Sequence, residues 1–275
     1  MKTRVFAVCA VIFLFCGIVN AEINDGLVAY YPFNGNANDE SGRGNNGLVY
    51  GVTLTNDRNG NANGAYNFNG VSDHVIRIHS NDSLNFGTLD FSMSVWIKPN
   101  SSDYSQIIGK DSHAGNTIYS GYFLRYQAGK IISFCVRNAP SSQTCLDSPN
   151  PLQYNWTHIV GVRKSNVLYI YVNGVFDSSL PEPTASNVSN TVDFKIGRFD
   201  EYTQPSFRGD IDEIRIYNRA LSVSEVQQLY QGSNCSDEVA VKPYTFTAGT
   251  PAKASEINAN FDVLYQRVNT PRCTN

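Results

Sequence analysis

Residues 207–222 read "FRGDIDEIRIYNRALS" and bring three carboxylates, Asp210, Asp212 and Glu213, into four residues, directly behind the triplet Arg208-Gly209-Asp210. Acids at alternate positions of a strand project from one face, as paired acid/base or nucleophilic work on a glycosidic bond requires. The same oxygens suit calcium, a hard cation that takes about six to eight oxygen ligands. The Arg-Gly-Asp triplet alone would be an adhesion tag, although three-residue matches are frequent by chance. The plain alternative is structural: Gly209 turns the chain, Ile211, Ile214 and Ile216 seek a core, and the acids cap the strand or pair with Arg215 or Arg219.

Choosing among these depends on the elements that carry the stretch. From Gly26 to Gly197 short runs such as "HVIRIH", "YFLRYQ", "IISFCV" and "NVLYIYV" alternate apolar and polar residues and are separated by turn clusters. Such a pattern predicts an all-β, two-sheet antiparallel sandwich or jelly roll. "RKSN" and Asn173-Gly174 mark tight hairpin turns. In "LSVSEVQQLYQGS", Ser222 and Glu225 form a capping box, Leu221, Val226 and Leu229 or Tyr230 an apolar stripe, and Gly232 a stop, so a short helix closes the sandwich. The second occurrence of "NGNAN", residues 34–38 and 59–63, reads as recurrent turn chemistry rather than a repeat.

The chain opens "MKTRVFAVCAVIFLFCGIVNA": Lys2 and Arg4, an apolar run, then a small residue at the cleavage position. This predicts a signal peptide over 1–21 and a secreted, extracellular protein with no membrane span. The full chain of 275 residues carries a formal charge of −3, and losing the leader makes it two units more negative, which is no footprint for nucleic acid. Cleavage leaves Cys135, Cys145, Cys235 and Cys273, an even set for an oxidising compartment. Cys135 and Cys145 flank an apparent turn and form the natural local pair; Cys235 with Cys273 would then close the C-terminal segment. Three parts follow: the leader 1–21, a sandwich domain 22–232, and a linker with a short helical segment, 233–275. In the last part Ile257, Phe261, Leu264 and Val268 form a short heptad seam that either packs back within the chain or makes a homo-oligomer.

"GLVAYYPFNGNANDESGRGNNG", "GAYNFNG", "FSMSVWIKP", "WTHIVGV", "LYIYVNG", "FKIGR" and "FRGDIDEIRIYNRALSVSEVQQLY", in this order, resemble the laminin-G-like domain of the concanavalin A-like jelly rolls found in secreted bacterial proteins. The resemblance implies a two-sheet jelly roll whose first and last strands are neighbours, and a mostly non-catalytic family that binds glycans or proteins, often with calcium. Separately, "TFTAGTPAKASEINANFDVLYQRV" resembles a segment of bacterial exported and phage-fibre-like proteins that precedes a stalk; because the sequence stops at Asn275, no long stalk is expected.

If the terminal strands pair, the loop after "VAYYPF" comes beside Asp212. A structural calcium ion is then expected on Asp39 and Asp212, with Asn34 and Ser41 as further donors. Catalysis fares worse. The jelly-roll β-glucanases carry Glu-x-Asp-x-x-Glu on one strand, whereas here Asp210 is one methylene shorter and Arg215 stands at the third position, so the acid/base catalyst is missing. For ligands, Trp96 has the opposite parity to Phe91, Met93, Val95 and Ile97, and Tyr104, Tyr119, Tyr122 and Tyr126 fall in or beside long loops where rings can stack on sugars; for each, the alternative is an ordinary core or surface ring. His74, His79, His113 and His158 show no metal or nucleophile spacing. Together these features predict a secreted, calcium-supported, non-enzymatic module that binds surface glycans. The alternatives are an adhesive or structural protein acting through protein contacts and C-terminal oligomerisation, and a glycoside hydrolase.

Overall fold

The computed structural model describes residues 23–71, 73–111, 120–127, 129–139, 142–198 and 206–232. In chain order the strands are β1 (Leu27–Tyr31), β2 (Gly47–Tyr50), β3 (Thr53–Thr55), β4 (Ala65–Asn69), β5 (Val75–Ile78), β6 (Phe91–Pro99), β7 (Ser105–Asp111) and β8 (Gly121–Gln127). They continue as β9 (Ile131–Ala139), β10 (Ser142–Asp147), β11 (Thr157–Lys164), β12 (Val167–Val172), β13 (Val175–Pro181), β14 (Phe194–Ile196) and β15 (Arg208–Tyr217), before helix α1 (Val223–Gln231).

One sheet has eight strands in the order β13-β12-β11-β6-β15-β4-β3, with β1 also pairing β15; the other has seven in the order β10-β9-β8-β7-β14-β5-β2. All pairings are antiparallel among the described residues, giving the jelly-roll sandwich that the alternation predicts. Side-chain parity builds the core. On β6, Phe91, Met93, Val95 and Ile97 enter it, as do Ile211, Ile214 and Ile216 on β15, while Ser92, Ser94 and Trp96 take the outer face.

The turns follow from residue type. Ser165-Asn166 and Asn173-Gly174 both hold positive φ, as two-residue hairpin turns require, and a Cβ on Gly174 would lie 3.1 Å from the Tyr230 ring. α1 carries the predicted capping box between Ser222 and Glu225. Its Val226 and Leu229, with Leu221 just before it, bury against Val160, Val162, Tyr171 and Tyr217, so the helix covers part of the eight-stranded sheet's outer face. The terminal strands are neighbours: Tyr30 lies opposite Arg215 and Tyr31 opposite Ile214. No helix among the described residues is long and apolar enough to cross a membrane. The leader, the Cys235–Cys273 pair and the seam at Ile257, Phe261, Leu264 and Val268 lie outside the described residues.

Candidate functional site

β15 exchanges partners midway. Its first half pairs with β4, from Arg208 against Asn69 to Ile211 against Tyr66, and its second half pairs with β1 on the same side. A bulge between Asp212 and Arg215 marks the exchange, with Glu213 at φ 40°. The β3–β4 loop fills this gap. Asp57 Oδ1 accepts the backbone N–H groups of Asn59 and Asn61, each at 2.8 Å, and the loop so shaped delivers Arg58 to the bulge. Arg58 donates to Asp212 at 2.6 Å and to Glu213, which also accepts from Arg215. Its guanidinium lies 4.7 Å from the centre of the Trp96 ring.

The network is neutralised and covered. Asp212 is 2% exposed and Trp96 8%. Burial pushes the Asp212 carboxyl up to about 6, against the pull of Arg58. Arg58 shifts upward too: burial opposes its charge, but Glu213 and Asp212 outweigh it. The two shifts pull the pair in opposite senses, since a raised Asp212 favours a neutral acid and a raised Arg58 a charged base. The carboxyl governs, because its side chain is 3% exposed against 18% for Arg58 and so loses more of its hydration. Asp210, on the same outer face, accepts from Asn67 at 2.6 Å and lies 3.8 Å from Lys98 Nζ. Gly209 of the Arg-Gly-Asp triplet is buried inside β15, where a Cβ would meet the Lys98 carbonyl at 2.4 Å, so the triplet is strand and not an open loop. His158 hydrogen-bonds Ser94 Oγ at 2.8 Å, but Trp96 stands between it and Asp212 in the sheet register, so these residues form no relay. Burial, with Arg58 and Arg215 nearby, pulls His158 down to about 3, leaving it neutral.

The carboxylates expected to share a calcium ion are each engaged by partners of their own. Asp39 sits on the free edge of β1, away from β15: its Oδ1 accepts Tyr30 N–H and Ser41 N–H and its Oδ2 accepts Asn45 N–H, each at 2.9 Å. Glu40 N–H bonds Tyr30 O at 2.8 Å, so the loop seals that edge. Asp212 lies on β15 where its partners change, opposite Trp96 of β6, and is held by Arg58. Asn34 is exposed in the turn, and Ser41 Oγ accepts Arg43 N–H at 3.3 Å. No group of three acidic, His or Cys side chains suited to a metal occurs among the described residues. The set does not fit one ion.

The aromatic candidates also separate. Trp96 is on the outer face as parity predicts, but it is roofed by Arg58 and by Tyr230, whose ring centre lies 5.6 Å away. Tyr122 and Tyr126 face the core and leave the ligand-contact set: Tyr122 is 0% exposed and donates to Leu84 O at 2.9 Å, and Tyr126 is 1% exposed. Tyr104 is half-buried on the outer face of the seven-stranded sheet, accepting Arg125 Nη1 at 3.0 Å beside the Cys135–Cys145 disulfide. Tyr119 and His113 lie outside the described residues.

A different ring lines an open depression of about 370 Å³ at one end of the sandwich, between the β10–β11 loop and the β12–β13 hairpin. Trp156 is half-buried there, with Asn150, Gln153, Asn155, Asn173 and Asp177 around it. Leu152 N–H bonds Lys130 O at 2.9 Å and anchors the loop, while Asn173 Oδ1 accepts His158 N–H at 3.0 Å and fixes the hairpin. Asp177 reaches the cleft through a bulge. Ile170 lies opposite Ser178 and Tyr171 opposite Phe176, so Asp177 is the extra residue on β13, re-aimed out of the regular alternation. An aromatic face ringed by amides and one carboxylate is chemistry suited to a polyhydroxylated ligand. Sequence reasoning missed Trp156, although a Trp directly ahead of a strand and behind "NPLQYN" was a legible signal.

Comparisons with known proteins agree on the fold. The binding domain of Paraclostridial Mosquitocidal Protein 1 is 19% identical with a TM-score of 0.63, over 76% of this chain and 53% of that one. The binding domain of Botulinum Neurotoxin serotype G is 18% identical with a TM-score of 0.60, over 74% and 50%. Domain 4 of AbnA, a GH43 extracellular arabinanase from Geobacillus stearothermophilus, in complex with arabinotriose, is 21% identical with a TM-score of 0.55, over 74% and 98%. The chain thus spans about half the length of the toxin binding domains it matches, and at these identities the likeness is one of fold. No curated protein matches it. A family model described as the concanavalin A-like lectin/glucanases superfamily, laminin-G-like, matches residues 69–227, more than half of the chain, and the protein belongs to that family.

Proposed function

We propose that this protein is an exported, non-catalytic recognition module that binds glycans in the Trp156 cleft. The observation that carries the proposal is Trp156 itself, a half-buried indole in an open depression, ringed by amide side chains that can both donate and accept. Support by likeness comes from an arabinanase domain in complex with arabinotriose, a neutral saccharide. The carboxylates of β15 offer no competing hydrolytic site, since Asp212 is buried and ion-paired. A glycan array run on wild type and Trp156→Ala tests the proposal. Reproducible sugar binding lost in the variant supports it; binding that survives Trp156→Ala, or reducing-sugar release by the wild type, refutes it.

A second function, contact with a protein, has its own support. Val175 and Phe176 on the edge strand β13 are 66% and 53% exposed, and another neurotoxin binding domain similar in fold is found in complex with rat synaptotagmin II. An array without any glycan signal would favour it.

A further inference from the structure

We infer that the Trp156 cleft selects uncharged or amine-bearing saccharides and rejects carboxylated ones; this rests on the proposed glycan-binding role of the same cleft. Among the residues lining the depression only Asp177 is ionisable, and no Lys, Arg or His lines it. Asp177 is half-buried, and its Oδ2 accepts Ser178 Oγ at 3.1 Å, which leaves Oδ1 for a ligand. The bulge on β13 sets this carboxylate in the cleft although a regular strand would not need it there.

The chemistry of the lining then decides the sign of selection. A carboxylated sugar is held well by a guanidinium fork or an ammonium, and the cleft contains neither. It would instead set its own negative charge in a partly desolvated depression that already holds one, an arrangement that works by repulsion as well as by lack of attraction. A neutral pyranose offers hydroxyl groups, which donate to the free Asp177 oxygen and both donate to and accept from the amides of Asn150, Gln153 and Asn155. Among the described residues none of those three side-chain amides is hydrogen-bonded within the chain, so a ligand displaces only water from them. The apolar C–H face of the same ring can lie on Trp156. An amino sugar adds an ammonium that pairs with Asp177. The volume of about 370 Å³ is near the lower end of the roughly 300–1,000 Å³ of small-ligand sites, which suits a short saccharide segment.

The test is a glycan array that carries neutral, amine-bearing and carboxylated members built on matched backbones, probed with wild type, Asp177→Asn and Trp156→Ala. We expect each carboxylated member to bind at least tenfold more weakly than its neutral twin, and Asp177→Asn to narrow that gap by several-fold. Should the variant fold poorly, a salt series on the wild type keeps the selectivity open to refutation: neutral members should bind equally from about 0.05 to 0.5 M salt, while any residual binding of acidic members should rise as repulsion is screened. Acidic members that match or exceed their neutral twins, with binding still lost in Trp156→Ala, overturn the selectivity and leave the glycan-binding role intact. An array with no signal from the wild type overturns both.

Discussion

Replacing Asp212 by Asn should remove a pH dependence that the buried carboxylate builds into the fold. Its carboxyl is raised from 3.8 to about 6, chiefly by burial, with Arg58 opposing. The folded chain therefore holds this proton more tightly than the unfolded chain does. The stabilisation is complete below about pH 3.8 and is lost as pH rises through about 6. Each tenfold difference in proton affinity between the two states corresponds to about 1.4 kcal/mol, so integrating between pH 4 and pH 7 gives a loss of about 2 to 3 kcal/mol from this group. Urea unfolding of wild type and Asp212→Asn at those two pH values isolates it, because every other titrating group is common to both chains. The wild type should lose about 2 to 3 kcal/mol more than the variant on going from pH 4 to pH 7. Equal losses would show that the ion pair with Arg58 fully offsets burial, a smaller loss by the wild type that it outweighs burial, and either result would refute the dominance of desolvation at this site.

Three further outcomes follow from contacts elsewhere. The side chains of Arg163 and Glu182 are both 0% exposed and joined by two hydrogen bonds of 2.9 and 3.1 Å, so Arg163→Met should cost about 3 to 5 kcal/mol by stranding the acid, and Arg163→Met/Glu182→Leu should recover at least half of that in the same unfolding assay. The Cys135–Cys145 disulfide closes a loop with a sequence separation of 10, and replacing both cysteines by Ser should lower stability by about 3 kcal/mol while the far-ultraviolet spectrum stays that of a β protein. Because Asp39 is taken up by the backbone N–H groups of Tyr30, Ser41 and Asn45 and Asp212 by Arg58, calcium or chelator should move the melting temperature by less than about 1 °C; a rise of several degrees would mean that a cation binds the folded state after all.

The parts of this molecule that are legible in the sequence are those set by local chemistry. Alternation places Trp96 on the opposite face from Met93 and Val95, Asn173-Gly174 makes its hairpin, and Ser222 with Glu225 caps α1. The pairing of the first and last strands follows from resemblance to a known family and is present. Parity states which face a side chain takes, but not what lies over it. Trp96 is outward and still covered, because Arg58 arrives from the β3–β4 loop and Tyr230 from α1, both remote in sequence. Strand adjacency alone would set Asp39 beside Asp212, yet its loop turns onto the free edge of β1 to meet the Tyr30 backbone. Tyr122 and Tyr126 read as loop-side rings but belong to the regular alternation of β8 and point into the core with Leu124. Asp177 is hidden because a bulge, by definition, departs from the pattern that sequence reading relies on.

The chain contains two tryptophans, Trp96 and Trp156, so a nitrogen-15 correlation spectrum should show two indole N–H signals. Trp96 is 8% exposed beneath Arg58 and Tyr230, whereas Trp156 faces the cleft. Titration with the neutral glycan that binds most strongly on the array should shift the Trp156 indole signal, identified by its loss in Trp156→Phe, and leave that of Trp96 in place. Saturated binding that leaves the Trp156 signal unmoved, or that moves Trp96 instead, would contradict the assignment of the cleft as the site of recognition.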